Sequence, residues 1–352
     1  MFYNMATKRF KILLPVIGLF LILILSAYDK GKGKGGLYIF RREIPFLENN
    51  KYNEKYVKIG KKLFYDTILS SSKTFACSGC HLPQFAFSDT VAFSTSFLTD
   101  NKLNYNTLSL VNLAYCKKYG WDGKFNTLED YIAHHLSDTA IMNMNANSIT
   151  QRLTKDTTYS GYIKRTLKIN TIDSLLVINS LAQYLRTIVA INTKFESRLW
   201  NEGLIAKPDS LIFKAIFKSM SPRLKYALDL CFKCHSGLAF GGETMSNIGL
   251  DANSHSTYRV PGTKNLQLTG PYMHDGRFKT LAEVVEHYNS GIIYNDSLDN
   301  LLKVKGKKEA IRLNLNKTEK KQIIDYLNTL FDPQYRTIYD SYKDKETPIK
   351  TN

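Results

Sequence analysis

The chain has 352 residues, 43% apolar and 22% charged, with 48 Lys and Arg against 31 Asp and Glu for a formal charge of +17. That composition excludes a disordered or collagen-like chain and a polytopic membrane protein, and the length suits two domains. Five cysteines are too few for a disulfide scaffold, and the excess charge calls for an anionic partner whose kind composition does not choose.

Lys8, Arg9 and Lys11 precede an apolar run from Ile12 to Ala27. Basic residues ahead of such a run read as an export signal, and the run is short for a membrane-spanning helix, which needs roughly 20 residues. Residues 1–36 are therefore expected to be a cleaved signal or a retained membrane anchor. They include a basic spacer, Lys30 to Gly36, whose three lysines also suit an anionic membrane surface. Either way the remainder is expected in the periplasm.

The body is expected to be mainly α, with a first domain over 37–205, a second over 206–340 and a polar tail at 341–352. Tyr56, Val57, Gly60, Leu63 and Phe64 fall on one helical stripe, and Leu175, Ile178, Leu181, Ala182, Leu185, Ile188 and Val189 make a longer one. Ser221-Pro222 reads as an N-cap and first residue opening a helix over 223–230. Asn316 and Glu319 have capping-box spacing. Gly-, Asn- and Ser-rich loops are expected over 89–106 and 237–256, and no alternating run predicts a large sheet. Each domain is expected to begin with a helix leading directly into a cysteine pair.

Those pairs are Cys77-Ser78-Gly79-Cys80-His81 and Cys231-Phe232-Lys233-Cys234-His235. C-x-x-C-H is the attachment signature of c-type haem: the two thiols add to the vinyl groups of one porphyrin, and the adjacent His reaches the iron. Zinc ribbons place their pairs roughly 15–20 residues apart, far closer than these, and a thioredoxin-like site needs a βαβ setting absent here. Two covalently bound c-type haems are the expected cofactors. Cys116 is left over and is expected to be a buried free thiol packing as a small hydrophobe. No segment suggests a groove-reading element, so no nucleic-acid partner is expected.

Further markers are Phe85-Ala86-Phe87-Ser88-Asp89, Asn106-Thr107-Leu108-Ser109-Leu110-Val111-Asn112, Trp121-Asp122-Gly123-Lys124 and Gly270-Pro271-Tyr272-Met273-His274-Asp275-Gly276-Arg277-Phe278. With them the sequence resembles the bacterial dihaem cytochrome c peroxidases and their MauG-type relatives over nearly all of residues 45–332. The resemblance implies two cytochrome c-like haem domains in tandem, with one calcium ion between them. It implies that the C-terminal haem takes electrons from a small cytochrome c or copper protein and that the N-terminal haem reduces hydrogen peroxide to water.

By the same resemblance His81 and His235 ligate the haem irons, and Trp121 bridges electron transfer. Asn106, Thr269 and Pro271 are calcium ligands, and His274 and Arg277 lie near a haem edge or propionates. Tyr288 stands where the MauG-type enzymes use a Tyr as second axial ligand; the alternative is a structural Tyr, with His287 or a nearby Met as ligand. On the peroxide side the family carries Gln, then Pro four residues on, then a proton-moving Glu ten on. Counted without gaps from Trp121, the positions here hold Tyr131, His135 and Ile141, so that carboxylate is replaced by an apolar side chain. His135 is then a proton shuttle, an iron ligand, or a surface residue beside His134, and Asp138 supplies the carboxylate if the register differs by three. Three functions stay open: a peroxidase, a MauG-type oxidase of a protein substrate, and a dihaem electron carrier or redox sensor. Self-association as a homodimer is open too.

Overall fold

A computed structural model of the chain describes residues 44–203 and 217–343, without the side chains of Trp200 and residues 339–343. The signal or anchor at 1–36, the expected boundary at 205/206 and most of the polar tail lie outside the described residues.

Helices begin where the sequence offers a side-chain cap. The Asn53 side chain accepts from Lys55 N and opens α1 (Glu54–Phe64). Thr127 caps α2 (Leu128–Ser137), Asn145 caps α3 (Ala146–Lys155) and Asp156 caps α4 (Thr157–Leu167). Asp173 caps α5 (Ser174–Arg186), which is followed by α6 (Lys194–Asn201). Ser221 opens α7 (Pro222–Cys234), longer than the stripe to 230 suggested because it continues through the second cysteine pair. Among the described residues the only sheet is the two-residue pair β1 (Met245–Ser246) and β2 (Tyr258–Arg259). Then come α8 (Leu281–Glu286), α9 (Lys317–Thr329), with the expected Asn316–Glu319 capping box, and α10 (Pro333–Lys343).

From Pro45 onward the chain forms one unit with two apolar cores. The first is built on α1 to α5, the second on α6, α7, α9 and the segments between. Tyr335 of α10 returns to the first core and donates to the Val189 carbonyl at 3.2 Å. At the centre of the first core α1 crosses α5 so closely that a Cβ on Gly60 would lie 1.9 Å from the Ser180 carbonyl oxygen. Gly60→Ala is therefore expected to cost at least about 1–3 kcal/mol, read as a lower urea midpoint.

Two expectations need correction. The first cysteine pair does not sit at the end of a helix: α1 stops at Phe64, and Cys77–Gly79 is a single 3-10 turn. The intervening polar stretch is taken up by local turns, such as the Asp66 side chain accepting from Ile68 N, which compete with helix. On α5 Leu175 is 60% exposed, because Leu176 and Val177 take the buried positions of the first turn. Ile188 and Val189 are buried, but beyond the helix end.

An internal duplication organises the rest. Tyr119-Gly120-Trp121-Asp122-Gly123-Lys124-Phe125 and Tyr272-Met273-His274-Asp275-Gly276-Arg277-Phe278 start 153 residues apart. Each forms a turn closed by an antiparallel bridge, Tyr119 to Phe125 and Tyr272 to Phe278, with its glycine left-handed at φ 61° and 63°. Each runs into a Thr-capped helix, α2 or α8. The two halves meet in matching hydrogen bonds of 2.8 Å, Asn106 N to the His274 carbonyl and Arg259 N to the Trp121 carbonyl.

Candidate functional site

Cys231 and Cys234 lie one turn apart at the end of α7, and His235 is its C-cap. Cys77 and Cys80 have the same spacing on their 3-10 turn. All four thiols are unbridged. Burial pushes Cys77 and Cys231 up to about 12, and burial followed by the nearby Asp89 charge pushes Cys80 up to about 11, so they stay protonated. His81 Nδ1 is 3.0 Å from the Phe87 carbonyl, and His235 Nδ1 is 3.0 Å and 3.2 Å from those of Pro261 and Phe240. A carbonyl only accepts, so Nδ1 carries the proton in both rings and Nε2 keeps its lone pair for a metal. Burial lowers both imidazoles and keeps them neutral. Phe87 and Phe240 are left-handed, φ 58° and 53°, at a cost of about 1–2 kcal/mol each. Two bulky residues in the same unfavourable conformation, each aiming a carbonyl at a histidine, make this a repeated device.

Around Cys231, Cys234 and His235 lies a cavity of about 200 Å³, walled largely by apolar side chains such as Leu228, Val285, Leu313 and Ile323. Paired protonated thiols, a fixed imidazole lone pair and an apolar cavity fit a haem. α8 widens into a π-helical turn, His287–Gly291. This break in the helical period turns Tyr288 into the cavity, while His287 is buried elsewhere with Nε2 3.0 Å from the Ile248 carbonyl. Burial, then the Cys231 and Cys234 thiols, push the Tyr288 phenol well above its usual range. Met273 also lines this cavity. Glu286 ties the turn down, accepting from Asn289 Nδ2, Ser290 Oγ and Lys320 Nζ; the Lys320 bond is the main reason its carboxyl is held down to about 2.

In the first half, α2 is fixed by Glu129, which takes a bidentate pair from Arg186 at 2.6 and 2.8 Å and an Asn50 amide at 2.7 Å. His134 is exposed and stacks on Phe125. His135 turns inward: its Nδ1 is buried without a hydrogen-bond partner, and its ring lies 4.4 Å from that of Tyr131. Burial, then the charges of His81 and His134, push it down to about 4. The surface reading of His135 is therefore overturned. By the duplication His135 stands where Tyr288 stands, 153 residues on. Burial pushes the Tyr131 phenol up to about 12. Ile141 packs against the first core, and the Asp138 carboxylate accepts from Ala140 N at 2.8 Å.

Between the halves Trp121 is 8% exposed and lines both the larger cavity and a second one of about 70 Å³. Its Nε1 donates to the Asn106 carbonyl at 2.7 Å. Asn106, Thr269 and Pro271 all line the second cavity, and the Asn106 amide nitrogen is committed to the Val91 and Ala92 carbonyls. That leaves its oxygen for a hard cation, which oxygen donors suit. His274 lines the larger cavity, whereas Arg277 is spent on Asp251 and Asp275.

Two residues that sequence reasoning passed over stand out here. Arg259 is 3% exposed and lines both cavities, yet binds only the Gly120 carbonyl and Cys116 Sγ, with no carboxylate among the described residues. Tyr258 stacks on His274. The repeated Tyr-x-x-Asp-Gly-x-Phe would have revealed the duplication that pairs these residues. Cys116 is half-buried and faces Arg259 as well as apolar neighbours, so it is more than a hydrophobic filler.

Fold and sites together define a mainly α protein with two cytochrome c-like haem domains in tandem. The family model described as di-haem cytochrome c peroxidase matches residues 54–203. The methylamine utilization protein MauG of Methylophilus methylotrophus is 24% identical over 303 residues, covering 82% of this chain and 85% of the relative. The cytochrome c551 peroxidase of Nitrosomonas europaea is 24% identical over 255 residues, covering 66% and 72%. A solved MauG-like protein associated with microbial copper homeostasis superimposes with a TM-score of 0.67 at 21% identity, over 82% of this chain and 93% of its own. Residues 54–203 thus match the di-haem cytochrome c peroxidase model, and most of the chain is similar to MauG and cytochrome c peroxidase proteins.

Proposed function

We propose that this is an exported dihaem oxidoreductase that reduces hydrogen peroxide to water with electrons from a small cytochrome c or copper protein. The observation that carries the reading is the duplicated arrangement: a thiol pair and a carbonyl-fixed histidine, a ring-bearing residue at the equivalent helix position in each half, and Trp121 between. Cys77 and Cys80, and Cys231 and Cys234, would hold the two haems, with His81 and His235 on the irons. Bound haem supplies the one-electron chemistry and the peroxide-binding iron. The chain supplies the rest. His135, neutral and inward-facing, accepts and returns a proton where the family's carboxylate is missing. Trp121, pinned through Nε1, keeps a π-system between the halves. Arg259, a buried cation on the wall of both cavities, would pair with haem propionates. Asn106, with the carbonyls of Thr269 and Pro271, would hold a calcium ion, which oxygen donors suit. The excess positive charge suits an acidic donor.

Tyr288 favours a second reading, MauG-type oxidation of a protein substrate, because a phenolate ligand stabilises ferric iron and lowers its potential.

The test is ferric EPR with and without peroxide, together with peroxide consumption from a reduced cytochrome c. Tyr288→Phe is expected to alter the signal of one haem only. His135→Ala is expected to leave a high-spin signal in place and to slow consumption by about 10²-fold or more. A low-spin signal abolished by His135→Ala would make His135 an iron ligand instead. Absence of peroxide consumption by the wild type would leave a carrier or sensor.

A further inference from the structure

We infer that Tyr105 is a surface oxidation site, wired to Trp121 through the Tyr258–His274 pair, that takes phenols too large to enter the cavity beside Cys231 and Cys234. The inference deepens the peroxide reading above and rests on it.

Tyr105 is 39% exposed. Its ring centroid lies 6.2 Å from that of Tyr258 and 6.4 Å from that of His274, edge-on to both. Those two stack at 3.8 Å with planes 14° apart. Both in turn meet Trp121 edge-on at 6.4 Å. The four rings therefore form one continuous π contact from the wall of both cavities to solvent.

The duplication explains why four rings meet here: Tyr105 and Tyr258 are equivalents, as are Trp121 and His274. It does not dictate that three of the four are the readily oxidised side chains, nor that the outermost is an exposed phenol. Electronic coupling falls steeply with distance, so several short ring-to-ring steps outrun one long step from a buried tryptophan to a surface molecule. Exposure alone does not give a tyrosine this route to Trp121. Tyr52, 59% exposed, has Phe46 as its aromatic neighbour.

The electron count closes. A Tyr105 phenol loses one electron inward through the rings and one proton outward to water. It is restored by taking a hydrogen atom from a phenol at the surface. Two such events supply the two electrons that, with two protons, convert one hydrogen peroxide to two waters. The two phenoxyl products join through one new C–C bond. In sum, two phenols and one peroxide give one biphenol and two waters.

The experiment treats the haem-loaded protein with peroxide and reads where the radical resides. Freeze-quench EPR is expected to show a tyrosyl signal that Tyr105→Phe and Tyr258→Phe lose and Tyr52→Phe keeps. In parallel, free tyrosine ethyl ester and tyrosine tethered to a polymer bead are offered as phenol probes, and dityrosine is mapped by mass spectrometry. Tyr105→Phe is expected to lose oxidation of the bead-bound probe while its haem optical response to peroxide is unchanged. Oxidation of the free ester alone, or bead oxidation undiminished in Tyr105→Phe, overturns the inference and leaves peroxide reduction standing. A haem spectrum that does not respond to peroxide overturns both.

Discussion

A chain carrying Cys231→Ala and Cys234→Ala is expected to bear one covalent haem instead of two and to lose roughly 5 kcal/mol of stability. The figure follows from the second core. Its cavity of about 200 Å³ is walled by apolar side chains that include residues of α7, α8 and α9. An unfilled apolar cavity costs about 24 cal/mol per Å³, and partial collapse onto the gap would reduce the loss. Intact-mass measurement counts the haems, and urea unfolding reads the stability. The corresponding pair, Cys77→Ala with Cys80→Ala, is expected to remove the other haem and leave this one. Retention of two covalent haems in either variant would defeat the attachment assignment.

Arg259→Leu is expected to have opposite effects in the haem-loaded and haem-free chains. Arg259 is buried and its side chain donates to a carbonyl and a thiol, so its charge has no anion among the described residues. Leaving a charge buried and unpaired is strongly destabilising, whereas replacing it with an apolar side chain of similar size relieves that cost. In the haem-free chain the substitution should therefore be neutral or stabilising. With haem bound, removing the partner of a buried propionate should cost about 3–5 kcal/mol. Loss of the positive charge should also lower a haem potential, since a nearby cation favours the reduced, less positive iron. Urea unfolding of both forms and potentiometric titration provide the comparison. An equal effect in both forms would mean that Arg259 serves packing alone.

The cysteine pairs, the capping residues and the helical stripes are local features, and they were legible because each depends on neighbours within a turn or two. Ser221 and Asn316 cap their helices through side-chain oxygens a few residues from the donors they satisfy. The places where reading failed were set at longer range. Leu175 is hydrophobic and on the expected stripe, but solvent reaches the first turn of α5. The helix before Cys77 ended early because side chains such as Asp66 offer the backbone competing partners. His135 sits beside an exposed histidine, and sequence alone could not say which of the two turns inward.

The sequence by itself determined the chemistry on offer: two haem-attachment motifs in a mainly α chain, one odd cysteine, two tryptophans and an excess of positive charge. Tertiary structure decided which side chains meet. It brought Asn106 to His274 and Arg259 to Trp121, set Tyr288 on a π turn facing the Cys231 cavity, and left Arg259 without a carboxylate among the described residues. Those outcomes depend on two halves folding against each other across about 150 residues of chain, where no local propensity reaches and only burial and mutual fit select the pairing.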